Sequence, residues 1–135
     1  MTNQGIDIQH PKARGEWAEL RFMARAAEHG LCVAKPWGDS ARFDFIIECH
    51  GRFLRIQVKC TKYRRGASYK CNLTSNGVAY AADALDFIAA YVIPADAWYI
   101  IPVHAIHGQK QILLSPHSAK SKFARYREAW HLLKS

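Results

Sequence analysis

Hydrophobic positions recur along this chain with two different periods. Between Pro11 and Gly30, Trp17, Leu20, Ala24 and Ala27 fall at helical spacing, which predicts an amphipathic helix stopped by Gly30. The period then shortens to two. Leu31 to Ala34 predicts a first strand, and runs rich in aromatic and β-branched residues on either side of His50-Gly51 predict a hairpin from Arg42 to Lys59. Alternation places Phe43, Phe45 and Ile47 on one side of the first hairpin strand, with Asp44, Ile46 and Glu48 on the other. In the second strand, Leu54, Ile56 and Val58 share one face, and Gln57 and Lys59 share the opposite one.

Downstream, Tyr69 to Leu73 predicts a strand, Asn76-Gly77 a loop, and Tyr80 to Leu85 a short helix. The apolar runs Asp86 to Ile93 and Ala97 to Ile101 flank Pro94-Ala95-Asp96 and predict a second hairpin, followed by an edge strand over Ile112 to Leu114. Phe123, Tyr126, Trp130 and Leu133 repeat at three and four residues and predict a final helix whose stripe is core or subunit contact. Helices alternating with strands in this order suit an α/β fold, a mixed sheet covered by helices.

The polar residues of the first hairpin carry the candidate chemistry. Hydrolysis of a phosphodiester calls for a divalent cation that neutralises phosphate, acidifies water and stabilises the leaving oxygen. Mg²⁺ takes oxygen ligands. Asp44 offers a carboxylate, Gln57 an amide oxygen and Val58 a backbone carbonyl, while Lys59 beside them would stabilise developing charge and position or deprotonate water. On the preceding helix, Glu16 and Glu19 each offer a further carboxylate. The competing reading is a hairpin with a solvated polar face and exposed helix glutamates.

The order of helix Glu, strand Asp and Gln-x-Lys resembles the PD-(D/E)XK nuclease superfamily. The strings Gly15-x-x-x-Glu19, Lys35-Pro36-Trp37-Gly38-Asp39-Ser40-Ala41-Arg42-Phe43-Asp44 and Gln57-Val58-Lys59 are similar to the branch of intron-encoded homing endonucleases and Holliday-junction-resolvase-like proteins. The likeness continues through Trp98-Tyr99-Ile100-Ile101-Pro102 and Tyr126-Arg127-Glu128-Ala129-Trp130. It implies a restriction-endonuclease-like mixed β-sheet core flanked by helices in αβββαβ order. It further implies Glu19, Asp44 and Gln57 as metal ligands, Lys59 as the catalytic lysine, and Mg²⁺ or Mn²⁺ as cofactor. Two residues depart from the pattern: Phe43 stands where proline is usual, and Gln57 replaces an acid, leaving two carboxylates and a site of weaker metal affinity.

Charge points to the same class of substrate. Lys and Arg number 19 against 11 Asp and Glu, a formal net charge of +8 that favours a polyanion. Lys62, Arg64, Arg65 and Lys70 cluster after the Gln-x-Lys strand with Tyr63 and Tyr69 among them, and are expected to meet DNA phosphates; a solvated basic turn is the alternative. Lys120, Lys122, Arg125 and Arg127 form a second basic group.

A chain of 135 residues makes one domain, here 1–135, with 1–10 as a loose N-terminal segment. No signal sequence or membrane-spanning run is visible, so a soluble cytoplasmic protein is expected. The four cysteines lack a Cys-x-x-Cys pair and are expected as buried free thiols. His104 and His107 fall in an expected loop without a third ligand, and neither a nucleophile elbow nor a Gly-rich phosphate loop is present. Two functions from different classes follow: a metal-dependent DNA endonuclease working as a homodimer or homotetramer on duplex or branched DNA, and a catalytically weak or inactive DNA-binding protein of the same fold.

Overall fold

A computed structural model of the chain describes residues 6–38, 40–75, 77–79 and 83–134. Helix α1, Pro11–Glu28, opens with proline where a missing N–H costs nothing, and the His10 ring accepts from Lys12 N at 3.2 Å. At its other end, Gly30 takes φ of 77° and the chain turns back, Leu31 N donating to Ala26 O at 3.0 Å. The strands are β1 (Cys32–Ala34), β2 (Phe45–Cys49), β3 (Arg52–Thr61), β4 (Arg64–Arg65), β5 (Ser68–Asn72), β6 (Thr74–Ser75), β7 (Val78–Ala79), β8 (Phe87–Val92), β9 (Ala97–Pro102) and β10 (Gln111–Leu114). The main sheet has the order β1-β2-β3-β8-β9, in which only β3 and β8 run parallel.

The first hairpin forms as expected. His50 and Gly51 both take positive φ, 53° and 79°, which gives a two-residue turn of the type whose twist matches the flanking strands. It pins Cys49 opposite Arg52 and Phe45 opposite Ile56. The parallel β3–β8 pair needs a long crossover, and here the crossover carries β4, β5 and the β6–β7 pair. Its far end is held by Asp86, which accepts from Arg55 N at 2.7 Å and from Arg55 Nε at 3.1 Å. Burial pushes the Asp86 carboxyl up, but the Arg55 side-chain and backbone bonds outweigh it and hold it below the usual range.

Both faces of the main sheet are covered, which is why β8 and β9 read as unbroken apolar runs. On one face, Phe45, Ile47, Ile56, Val58, Trp98 and Ile100 pack with Ala18, Phe22, Ala26 and Trp130. On the other, Ile88, Ala90, Tyr99 and Ile101 pack with Cys71, Leu73, Leu114 and Phe123 from the small sheet β10-β5-β4 and the C-terminal segment. The edge strand expected at Ile112 to Leu114 thus joins this second sheet, with Ile112 opposite Cys71.

Several expectations change. The buried stripe of α1 is Arg14, Ala18, Phe22 and Ala26 rather than Trp17, Leu20, Ala24 and Ala27; Leu20 is 61% exposed. Apolar residues surround much of this helix, so more than one stripe was available, and the sheet takes the one that stacks Phe22 on Phe45. Ile6 packs against the core, so the N-terminal segment is not wholly loose. Residues 80–82 of the expected second helix lie outside the described residues, and Asp83–Ala84 form a turn; among the described residues α1 is the one α-helix, and with the mixed five-stranded sheet it makes the expected α/β fold.

The final helix is replaced by two 3₁₀ turns, Ala124–Tyr126 and Trp130–Leu133. Glu128, at φ of 51°, breaks it: its N–H donates to Trp98 O at 2.6 Å, and its carboxylate accepts from Trp98 N at 2.9 Å and Trp130 Nε1 at 2.8 Å. These tertiary bonds to β9 satisfy polar groups that a helix would have paired internally. Of the thiols only Cys71 is buried, its pKa pushed up to about 12 by burial, while Cys32 is exposed because it lies on the edge strand β1. No helix among the described residues is long and apolar enough to cross a membrane.

The exchanged helix face yields a direct test. Phe22→Ala should cost about 3–5 kcal/mol, whereas Leu20→Ser should stay within about 0.5 kcal/mol. Urea midpoints of the two variants measure this; comparable losses would mean that the helix packs through the Leu20 side.

Candidate active site

The site begins where β2 has not yet joined the ladder. One residue before it, Asp44 N donates to Ile56 O at 2.8 Å, and Asp44 Oδ2 accepts from Val58 N at 2.8 Å. The ladder register ends at Phe45–Ile56, and the Asp44 side chain carries the pairing on to the backbone of Val58. In an extended strand the N–H and C=O of one residue point to the same edge. Because Val58 N–H reaches Asp44, the Val58 carbonyl also leaves β3 on the Asp44 side. Val58 itself belongs to the core beneath α1, so Gln57 and Lys59 emerge on the opposite face.

Lys59 is half-buried there, its Nζ donating to Thr74 O at 2.9 Å. Helix α1 contributes from the other side. Glu19 and Asp44 line one cavity of about 510 Å³ together with Glu16, Lys35 and Phe43. Glu19 Oε1 receives Lys35 Nζ at 3.0 Å, and the same ammonium stands 4.8 Å from the centre of the Phe45 ring. Both glutamates line the cavity; Glu16 is exposed, while Glu19 is half-buried and its charge acts on Asp44. Gln57 and Lys59 do not line this cavity; Asp44, at the strand edge, joins it to their face.

Burial is the largest influence on Asp44 and drives its carboxyl above the usual range. The Val58 N–H opposes that, Glu19 reinforces it, and Lys35 and Lys59 oppose it more weakly. Two carboxylates repelling each other in a partly dry cavity are what a divalent cation would relieve. Among the described residues no three His, Cys, Asp or Glu side chains converge, so an ion here would draw on the Glu19 and Asp44 carboxylates, with the Gln57 amide and the Val58 carbonyl as further oxygens. All are hard oxygens, and they fit Mg²⁺ or Mn²⁺ rather than a thiophilic or imidazole-seeking metal.

The basic cluster that follows is a hairpin rather than a loose loop, with Arg64 opposite Tyr69 and Arg65 opposite Ser68. Thr61 Oγ1 donates to Lys70 O and accepts from Tyr63 N, which ties the hairpin to the end of β3. Arg64, Arg65 and Lys70 are exposed and Lys62 is half-buried. Arg64 spends donors on Gly66 O and lies 5.8 Å over Tyr69. Two residues escaped the sequence reading. Lys35 was visible only within a motif string, and Arg14 carries no chemical motif; it is buried beneath the hairpin with Nη2 3.3 Å from Tyr63 Oη. An arginine aligned with Ala18, Phe22 and Ala26 at steps of four was the available signal.

This arrangement of helix, hairpin and Gln-x-Lys strand agrees with comparison to known proteins, in which the PD-(D/E)XK endonuclease family matches residues 9–133. The chain belongs to the PD-(D/E)XK endonuclease family. This PD-(D/E)XK endonuclease is similar in structure to a bacterial homing endonuclease, I-Ssp6803I, at 29% identity and a TM-score of 0.78, over 93% of this chain and 92% of that one. It shares its fold with the Holliday junction resolvase Hjc of Archaeoglobus fulgidus, an archaeal hyperthermophile, at 16% identity and a TM-score of 0.54, over 76% of this chain and 84% of that one. No curated protein matches it.

The Asp44 environment fixes the sign of a pH effect. A carboxyl raised in the folded state binds its proton more tightly there than in the unfolded chain, so stability falls as pH rises from about 3.9, the unfolded value, through the folded one. In EDTA at pH 7, Asp44→Asn should therefore unfold at a higher temperature than wild type, and the gap should close below about pH 3.9. A lower Tm for the asparagine variant at pH 7 would show that the charged bond to Val58 outweighs burial.

Proposed function

We propose that this member of the PD-(D/E)XK family is a divalent-metal-dependent DNA endonuclease. The observation that carries this reading is the Asp44 carboxylate, held by the Val58 N–H inside Gln57-Val58-Lys59 and facing Glu19 across one cavity. Glu19, Asp44, Gln57 and the Val58 carbonyl would hold Mg²⁺ or Mn²⁺, which supplies charge neutralisation and acidifies water. Lys59, steadied by the Thr74 carbonyl, orients the attacking water and stabilises charge on the phosphorus oxygens in the transition state. The hairpin cations Lys62, Arg64, Arg65 and Lys70 take flanking phosphates. Likeness to the homing endonuclease across nearly the whole chain supports linear duplex as substrate in preference to a junction. Cutting both strands calls for two sites related by symmetry, hence a homo-oligomer.

Cleavage of supercoiled plasmid, a long duplex library and a four-way junction tests this, with Mg²⁺, Mn²⁺ or EDTA. Nicking or linearisation is expected with either ion, is abolished by EDTA, and is lost in Lys59→Ala and Asp44→Asn while DNA binding and a cooperative thermal transition persist. Cutting that survives Lys59→Ala would remove that lysine from the reaction.

Gln57 and Lys35 favour a second reading, a DNA-binding protein with a weak metal site. The amide carries no charge, and the Lys35 ammonium already satisfies Glu19. Lys35→Met should then bind Mn²⁺ more tightly than wild type in calorimetry, because the ion no longer displaces an ammonium. Weaker binding would instead mean that Lys35 orients Glu19 for the metal.

A further inference from the structure

A second charged feature lies on the same face of the main sheet as Lys59. Lys59 pairs with Ala90, Ala90 with Tyr99, and Tyr99 bridges Arg127, so the four residues form one row across the strands. Partners in register project to the same face. Three strand spacings place Arg127 roughly 14–15 Å from Lys59 by the usual 4.7–4.9 Å separation. Tyr99 is buried at 1% exposure, and its hydroxyl has no hydrogen-bond partner among the described residues. A buried hydroxyl left unpaired is costly. Tyr99 nevertheless lines an open cleft of about 720 Å³ with His117, Ser118, Arg125 and Arg127.

The polar side chains around this cleft suit an anion. Among the described residues no carboxylate lines it. The nearby Glu128 carboxylate is occupied by Trp98 N and Trp130 Nε1. Arg127 spends Nη1 on Pro116 O at 2.7 Å, and a guanidinium has five donors in all, so the rest remain for a ligand. Arg125 lies 5.8 Å over the Tyr126 ring, which limits its excursions without consuming a donor.

We propose that the Tyr99–Arg125–Arg127 cleft is a phosphate-binding subsite that takes a backbone phosphate of duplex DNA away from the scissile bond. It rests on the nuclease reading for its ligand. Ala90 and Tyr99 between them are buried, so the cleft opens beyond the cover over the middle of the row and takes a phosphate distinct from the one at Lys59. Arg127 grips the phosphate oxygens and the Tyr99 hydroxyl donates the bond it lacks in the free protein. The sheet then holds the two phosphate contacts at a fixed separation, as parts of one rigid row.

Binding of a fluorescent duplex to Lys59→Ala protein in EDTA, followed by anisotropy across a salt series, separates this site from cleavage. Adding Arg127→Ala should lower the slope of log K against log salt by about one phosphate contact. Adding Tyr99→Phe should weaken binding several-fold while leaving thermal stability equal or higher, since an unpaired hydroxyl is removed. In parallel, inorganic phosphate titrated into wild-type protein should shift the Arg125 and Arg127 Nε–H signals in NMR, and less so in Tyr99→Phe. An unchanged slope and affinity, with no arginine shift, overturns the subsite even if the protein cuts DNA. Absence of cleavage with these effects intact overturns the nuclease reading and leaves the subsite standing.

Discussion

The site depends on one hydrogen bond, from Val58 N–H to the Asp44 carboxylate. Strand β3 is paired on both sides, antiparallel to β2 and parallel to β8, but β2 starts only at Phe45. Past that point the N–H of Val58 would be left without a strand partner. Asp44 supplies the acceptor, so one side chain finishes the sheet and stands at the head of the candidate site. This double duty sets a conflict. A metal ion would need the carboxylate charged, yet burial and Glu19 raise its pKa. A cation is the natural resolution, since it neutralises both carboxylates at once.

Around that bond the molecule is asymmetric. Helix α1 covers one face and presents Glu19, while the small sheet covers the other and the adjoining β6–β7 pair supplies Thr74 O to Lys59. The site therefore belongs to neither layer alone. Arg14 links them, reaching from the buried stripe of α1 to Tyr63 at the start of the basic hairpin. Lys35 acts as a built-in cation on Glu19. With Gln57 in place of an acid, these features lower the net negative charge of the site, and metal affinity should follow.

The C-terminal segment shows how tertiary bonds redirect a local preference. Phe123, Tyr126, Trp130 and Leu133 have helical spacing, and Phe123, Trp130 and Leu133 are buried as that stripe predicted. The segment is nonetheless broken at Glu128, because bonds to β9 and Trp130 fix a left-handed residue there. The break is what carries Arg127 to the sheet edge beside Tyr99. A continuous helix would have placed that arginine elsewhere.

Period and turn chemistry were enough to read the hairpin at His50-Gly51, the faces of Gln57 and Lys59, and the second hairpin around Pro94-Ala95-Asp96, because strand alternation and two-residue turns are local rules; the alternation expected for Phe43 and Asp44 fails, since β2 starts only at Phe45 and Phe43 packs in the cluster opposite Phe45. The family motifs were legible for the same reason: they lie on two short elements of fixed period. The buried face of α1, the loss of the final helix, the joining of β10 to β5, and the roles of Lys35, Arg14 and Tyr99 were not. Each depends on what another part of the chain presents at a distance, and apolar or basic residues occur often enough that several arrangements satisfy the local pattern. The chain by itself determined which chemical groups are available and on which side of each strand they project. Tertiary packing decided which of them meet, because burial and hydrogen-bond pairing are settled only when the sheet closes against its two covers.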